Sequence, residues 1–184
     1  ISSERVVMRQ SVLASVLEIA ESNLRNADDV RLFEVGFAYI QSQRAGSVSD
    51  GPSLPAAPRR LAIFMTGTRG QEFWSDGGAK EKQPLDFFEL KGVIEALAQD
   101  LHLSDTTYQP AKAAHLHPGK SATLLAGNKP IGDFGVLHPK VAQADNLGER
   151  TILVAEFAVE ALQAATPIRF SYSPVPRFPA ALRD

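Results

Sequence analysis

Apolar residues recur along this chain with two different periods, and the changes of period mark its elements. Val12, Leu13, Val16, Leu17, Ala20 and Leu24 fall at helical spacing on one stripe. Ser11, Ser15, Glu18, Ser22 and Arg25 occupy the other side, so an amphipathic helix is predicted. Ser2-Ser3-Glu4 supplies helix-start chemistry ahead of it, and Asn26 to Asp29 end it. From Val30 to Ile40 the period drops to two. That predicts a strand with Leu32, Glu34 and Gly36 facing one way and Arg31, Phe33, Val35 and Phe37 the other. Arg60 to Thr68 is almost continuously apolar in its middle, as a strand buried on both faces is.

A second helical stripe, Leu90, Val93, Ile94, Leu97 and Leu101, follows Asp86 and Glu89, which stand three apart as a capping box requires. The two carboxylates could also be an acid/base pair, but capping accounts for both positions more simply. Gly92 costs this helix about 1 kcal/mol against alanine, so tight packing against it is expected. Ser121 to Ala126 and Ile131 to Leu137 read as short strands joined by the turn Gly127-Asn128-Lys129-Pro130. Gly132 and Gly135 inside the second of them predict a bulge, or a close approach of backbone or ligand. Lys140 to Asn146 fits a short helix or turn, Ile152 to Phe157 a strand, Val159 to Ala165 a short helix, and Ile168 to Tyr172 a last strand. Residues 42–58 predict an exposed, mobile loop. Residues 69–84 form a second loop, anchored by Phe73 and Trp74, and residues 173–184 a proline-rich tail. Helices and strands are interspersed without regular alternation. The pattern predicts one α+β domain over residues 1–184, with a largely antiparallel sheet flanked by helices.

Composition narrows the functional classes. With 184 residues the chain can bury a real core. Its net charge of -2 argues against gripping nucleic acid by charge alone. The absence of cysteine removes disulfide and thiolate chemistry. No apolar run reaches the length of a membrane span and no signal peptide is visible, so a cytoplasmic location is expected. The chain opens at Ile1 and closes at Arg183-Asp184, as a piece excised from a longer chain would.

Local motifs for chemistry are weak. Gly119-Lys120-Ser121 has the tail of a phosphate-binding loop, but the required earlier glycine is Ala114, and strand rather than helix follows. His115 and His117 would share a strand face, with His138 as a third metal ligand; nothing acidic or sulfur-bearing sits at a matching spacing. On these three histidines alone, a free-standing ligand-binding or metal-dependent enzyme domain is the alternative reading. The simpler one makes His117-Pro118-Gly119 a structural turn, the proline keeping its neighbour extended and the glycine permitting a tight bend.

Seven segments carry a resemblance that no single motif does. They are Met8 to Leu13, Arg31 to Gly36, Leu61 to Gly67, Asp86 to Gly92, His117 to Ala122, Gly135 to Pro139, and Arg177-Phe178-Pro179. In this order, across essentially the whole chain, they resemble the catalytic-like module of the β chain of bacterial phenylalanyl-tRNA synthetase, a class II synthetase fold. The resemblance implies a part of an α2β2 enzyme that attaches phenylalanine to its tRNA using ATP and magnesium. It implies that the α chain carries the active site. The β chain then helps hold the assembly together, binds tRNA and edits mischarged tyrosine, mainly through other domains. Within this chain the resemblance implies no catalytic residue, no metal and no cofactor. Ile40 stands where an active chain has its ATP-binding arginine, and Phe64 and Thr66 stand where polar residues orient the substrates. It also implies that residues 9 to 25 belong to a subunit contact region. Val12, Leu13, Val16, Leu17 and Leu24 are then the candidate interface, with Leu17 expected at the exposed side.

Overall fold

A computed structural model describes residues 7–41, 55–69 and 83–169. Six strands, β1 (Val30–Phe37), β2 (Arg59–Thr66), β3 (Thr106–Pro110), β4 (Leu116–Ala126), β5 (Lys129–Leu137) and β6 (Leu153–Ala158), form one sheet. Four helices accompany it: α1 (Leu13–Asn23), α2 (Phe87–Asp100), α3 (Pro139–Ala144) and α4 (Val159–Ala165). The sheet order is β1-β2-β6-β5-β4-β3, and every neighbouring pair is antiparallel. The α+β reading with an antiparallel sheet and flanking helices therefore holds. Among the described residues no helix is long and apolar enough to cross a membrane.

Strand pleat divides the core in two. Phe64 and its cross-strand partner Val154 join one cluster with Val16, Leu17 and Ala20 of α1 and Ala142 of α3. Ile63 and its partner Ala155 join the other, with Leu90 and Ile94 of α2 and Leu162 of α4. Helices thus cover both faces of β2, and Ala62 to Thr66 are buried without interruption, as its unbroken apolar run predicted. Each fully buried leucine or phenylalanine contributes about 1.5–3 kcal/mol. The sheet's stability therefore sits in its middle strands, whereas β1 stands at one edge.

Several boundaries differ from expectation. The first helix begins at Leu13, and its Val12 cap makes no side-chain capping bond; Ser2-Ser3-Glu4 lie outside the described residues. Its orphan amides are met from the sheet instead. β1 stops at Phe37, and Ile40 makes only an isolated bridge to Ala56. β3 was not predicted, because five residues, Thr106 to Pro110, are too few to show a period. It is held by β4 and by Tyr108, whose ring meets Phe134 edge-on at 5.9 Å. β4 starts earlier than expected, at Leu116, with its register broken between Leu116 and Ser121. Ile168 and Arg169 lie in a bend rather than a strand. Residues 42–54, the anchors Phe73 and Trp74, and the tail from residue 170 lie outside the described residues.

On α2, Leu90, Ile94 and Ala98 are buried, and Val93 faces solvent. The stripe is rotated toward Ala98, because the sheet beneath is met by one narrow arc of a 14-residue helix. Gly92 is likewise not closely packed: an added Cβ meets nothing within 4 Å. The strand glycines behave as predicted, and the close neighbour is backbone. A Cβ on Gly132 would lie 2.1 Å from the Glu156 carbonyl oxygen. Gly127, at φ +58°, supplies the left-handed residue that closes the β4–β5 hairpin.

Candidate functional site

The sheet face beneath α1 carries a polar row. Cross-strand register aligns Glu34 of β1, Ala62 of β2, Glu156 of β6, Asp133 of β5 and Thr123 of β4. Their polar groups are turned on each other and on the chain itself. Glu156 Oε1 accepts from the Ser11 hydroxyl at 2.7 Å, from the Val12 amide at 2.8 Å and from the Leu13 amide at 3.2 Å. A sheet carboxylate thus does for α1 what a side-chain cap does elsewhere, placing negative charge at the helix N-terminus. Thr123 donates to Asp133 in the same way, hydroxyl to carboxylate.

At the β1 end Arg9 lies over the sheet. Its Nε donates to the Phe37 carbonyl at 2.9 Å, and its Nη1 to Glu34 Oε1 at 2.7 Å and to the Ser15 hydroxyl at 3.0 Å. The Arg9 carbonyl accepts from the Tyr39 amide at 2.8 Å. Gly36 lies beneath this guanidinium, where a Cβ would approach Arg9 Nη2 to 2.3 Å. In the sequence Arg9 stands out only as a member of the Met8–Leu13 segment, because a partner 25 residues away, Glu34, leaves no local spacing signal.

Phe64 is fully buried in the core, and Thr66 is buried with its hydroxyl donating to the Thr151 carbonyl at 2.8 Å. Ile40 lies beyond β1, partly exposed, and its backbone pairs with Ala56. None of the three presents a charged or polar side-chain group to a ligand.

The histidines serve the backbone. His117 Nδ1 accepts from the Gly119 amide at 3.1 Å, and His138 Nδ1, at the α3 cap, accepts from the Lys140 amide at 3.2 Å. The His138 amide donates to the His115 carbonyl at 2.8 Å. Each His-Pro pair therefore closes the same small turn, with the ring acceptor reaching two residues on. Among the described residues no group of three His, Cys, Asp or Glu side chains is placed to hold a metal ion.

Asp86 and Glu89 form the predicted capping box: Asp86 accepts from the Phe88 amide at 2.7 Å and Glu89 from the Asp86 amide at 2.8 Å. Arg69 bridges both carboxylates. Burial pushes the Glu89 carboxyl up, but hydrogen bonds from Arg69 and Asp86 and the Arg69 charge outweigh it, and its pKa lies below the ordinary value.

The α1 stripe is core. Val12, Leu13, Val16 and Leu17 are buried in the chain itself, and Leu24 packs against the same cluster. Leu17 is only 6% exposed, contrary to its expected place at the solvent side; the large apolar residue that α1 presents to solvent is Ile19, at 49%. One stripe of an 11-residue helix is used up in covering β1, β2 and β6. A row of exposed apolar side chains lies instead on β1, where Phe33 (76%), Val35 (55%) and Phe37 (50%) share the face that two-residue alternation assigned them. Their neighbours on β2, Ile63, Leu61 and Arg59, continue the row inward.

Residues 1–159 match the family model described as the phenylalanyl tRNA synthetase beta chain CLM domain. The chain belongs to this family. Among relatives of the phenylalanyl-tRNA synthetase beta chain, the phenylalanine–tRNA ligase beta subunit of Symbiobacterium thermophilum is 35% identical over 98% of this chain and 19% of its own length. That of Geobacillus kaustophilus is 37% identical over 100% of this chain and 21% of its own. The chain therefore spans about a fifth of the length of these relatives. Among solved structures, the pyrrolysyl-tRNA synthetase of Desulfitobacterium hafniense superposes with a TM-score of 0.58 at 10% identity, over 84% of this chain and 48% of that one. At that identity the likeness speaks for the fold alone, which is that of a class II synthetase.

Proposed function

We propose that the chain is a non-catalytic module of the β subunit of phenylalanine–tRNA ligase, serving assembly with the α chain in an α2β2 enzyme. The observation that carries this reading is the row Phe33, Val35 and Phe37, an apolar face left in water on an edge strand. Soluble proteins seldom leave such a face without a partner. The contact region moves from the buried stripe of α1 to the adjoining strand, and the α chain is the occupant assigned to it. In this reading the whole enzyme works in the cytoplasm, uses ATP and magnesium, and charges its tRNA at an active site on the α chain.

The chain's own groups support the inactive half of the proposal. An adenylate-forming site requires cationic and polar donors aimed at the α-phosphate. At the corresponding positions this chain has Ile40, Phe64 and Thr66, two of them consumed by the core. The test is phenylalanine-dependent ATP–pyrophosphate exchange, measured on the 184-residue chain and on the assembled enzyme that contains it. Exchange is expected only when the α chain is present. Exchange by the chain alone, lost on substitution of one of its residues, overturns the proposal.

A further inference from the structure

We draw no further inference here: the strongest candidate, the outward face of α2 with exposed Phe88, Gly92 and Val93, is an unpartnered apolar helix surface, and nothing in the structure shows what covers it.

Discussion

Replacing Gly36 by alanine places a methyl group where the Arg9 guanidinium now lies, 2.3 Å from Nη2. A contact that short cannot persist, so either β1 or the arginine must move, and the arginine is the softer of the two. Moving it puts at risk its bonds to the Phe37 carbonyl, Glu34 and Ser15, of which only the Glu34 bond is an ion pair. Both members of that pair are about a third exposed (30% and 29%), so screening keeps its worth modest. At roughly 0.5–1.5 kcal/mol for each bond, losing two costs about 1–3 kcal/mol. Alanine returns about 0.5–1 kcal/mol by restricting the unfolded chain. The net loss is about 0–2.5 kcal/mol, a fall in melting temperature of up to roughly 10 °C for a chain of this size. The assay is a double-mutant cycle by thermal melt with Gly36→Ala, Arg9→Ala and the pair. With the guanidinium gone, the nearest remaining atom is Glu34 Oε1 at 3.0 Å, the free end of a flexible side chain. Gly36→Ala should then be neutral or mildly stabilising. An equal loss in both backgrounds refutes the clash, and with it the role of Arg9 as the clamp over β1.

Two further outcomes follow from the helix α2 and its cap. Gly92→Ala adds a Cβ to open space, so it should stabilise the chain by about 1 kcal/mol, read as a rise in melting temperature; a fall would mean that the position is packed after all. Glu89 has a folded pKa below its unfolded value of about 4.3. Its contribution is therefore complete above that value and is lost as pH falls through the folded one. Melting temperature measured from about pH 6 down to pH 3 should fall less steeply for Glu89→Gln than for the unaltered chain; parallel curves would remove Glu89 from the account of acid sensitivity.

How much of this could be read from the sequence depended on how local each cause is. The capping box Asp86–Glu89, the double burial of β2 and the alternation on β1 rest on neighbours within a few residues, and all three stand in the structure. The start of α1 did not follow from local chemistry, because its amides are met by Glu156, more than 140 residues along the chain. Alternation put Phe33, Val35 and Phe37 on one face but could not say whether a helix covers it. That depends on β1 lying at the sheet edge, which only the strand order reveals. Likewise the α1 stripe was legible as apolar, and only the packed sheet beneath it showed that it is spent inside the chain. Gly92 misled for a related reason. Its cost to the helix is real, yet among the described residues none packs closely against it.

The assembly claim is tested most directly by placing a charge in the β1 row. Phe33→Asp and Val35→Asp, each introduced into the β subunit, should leave the melt of the 184-residue chain within a few degrees of its starting value. Both side chains already face water there. In the enzyme each would lose roughly 1.5–3 kcal/mol of apolar burial, which weakens assembly by more than tenfold. Native mass measurement of the β subunit co-expressed with the α chain reads this out. The account predicts free subunits, or αβ pairs, in place of α2β2. Full α2β2 with either variant, at a normal melt, would contradict it.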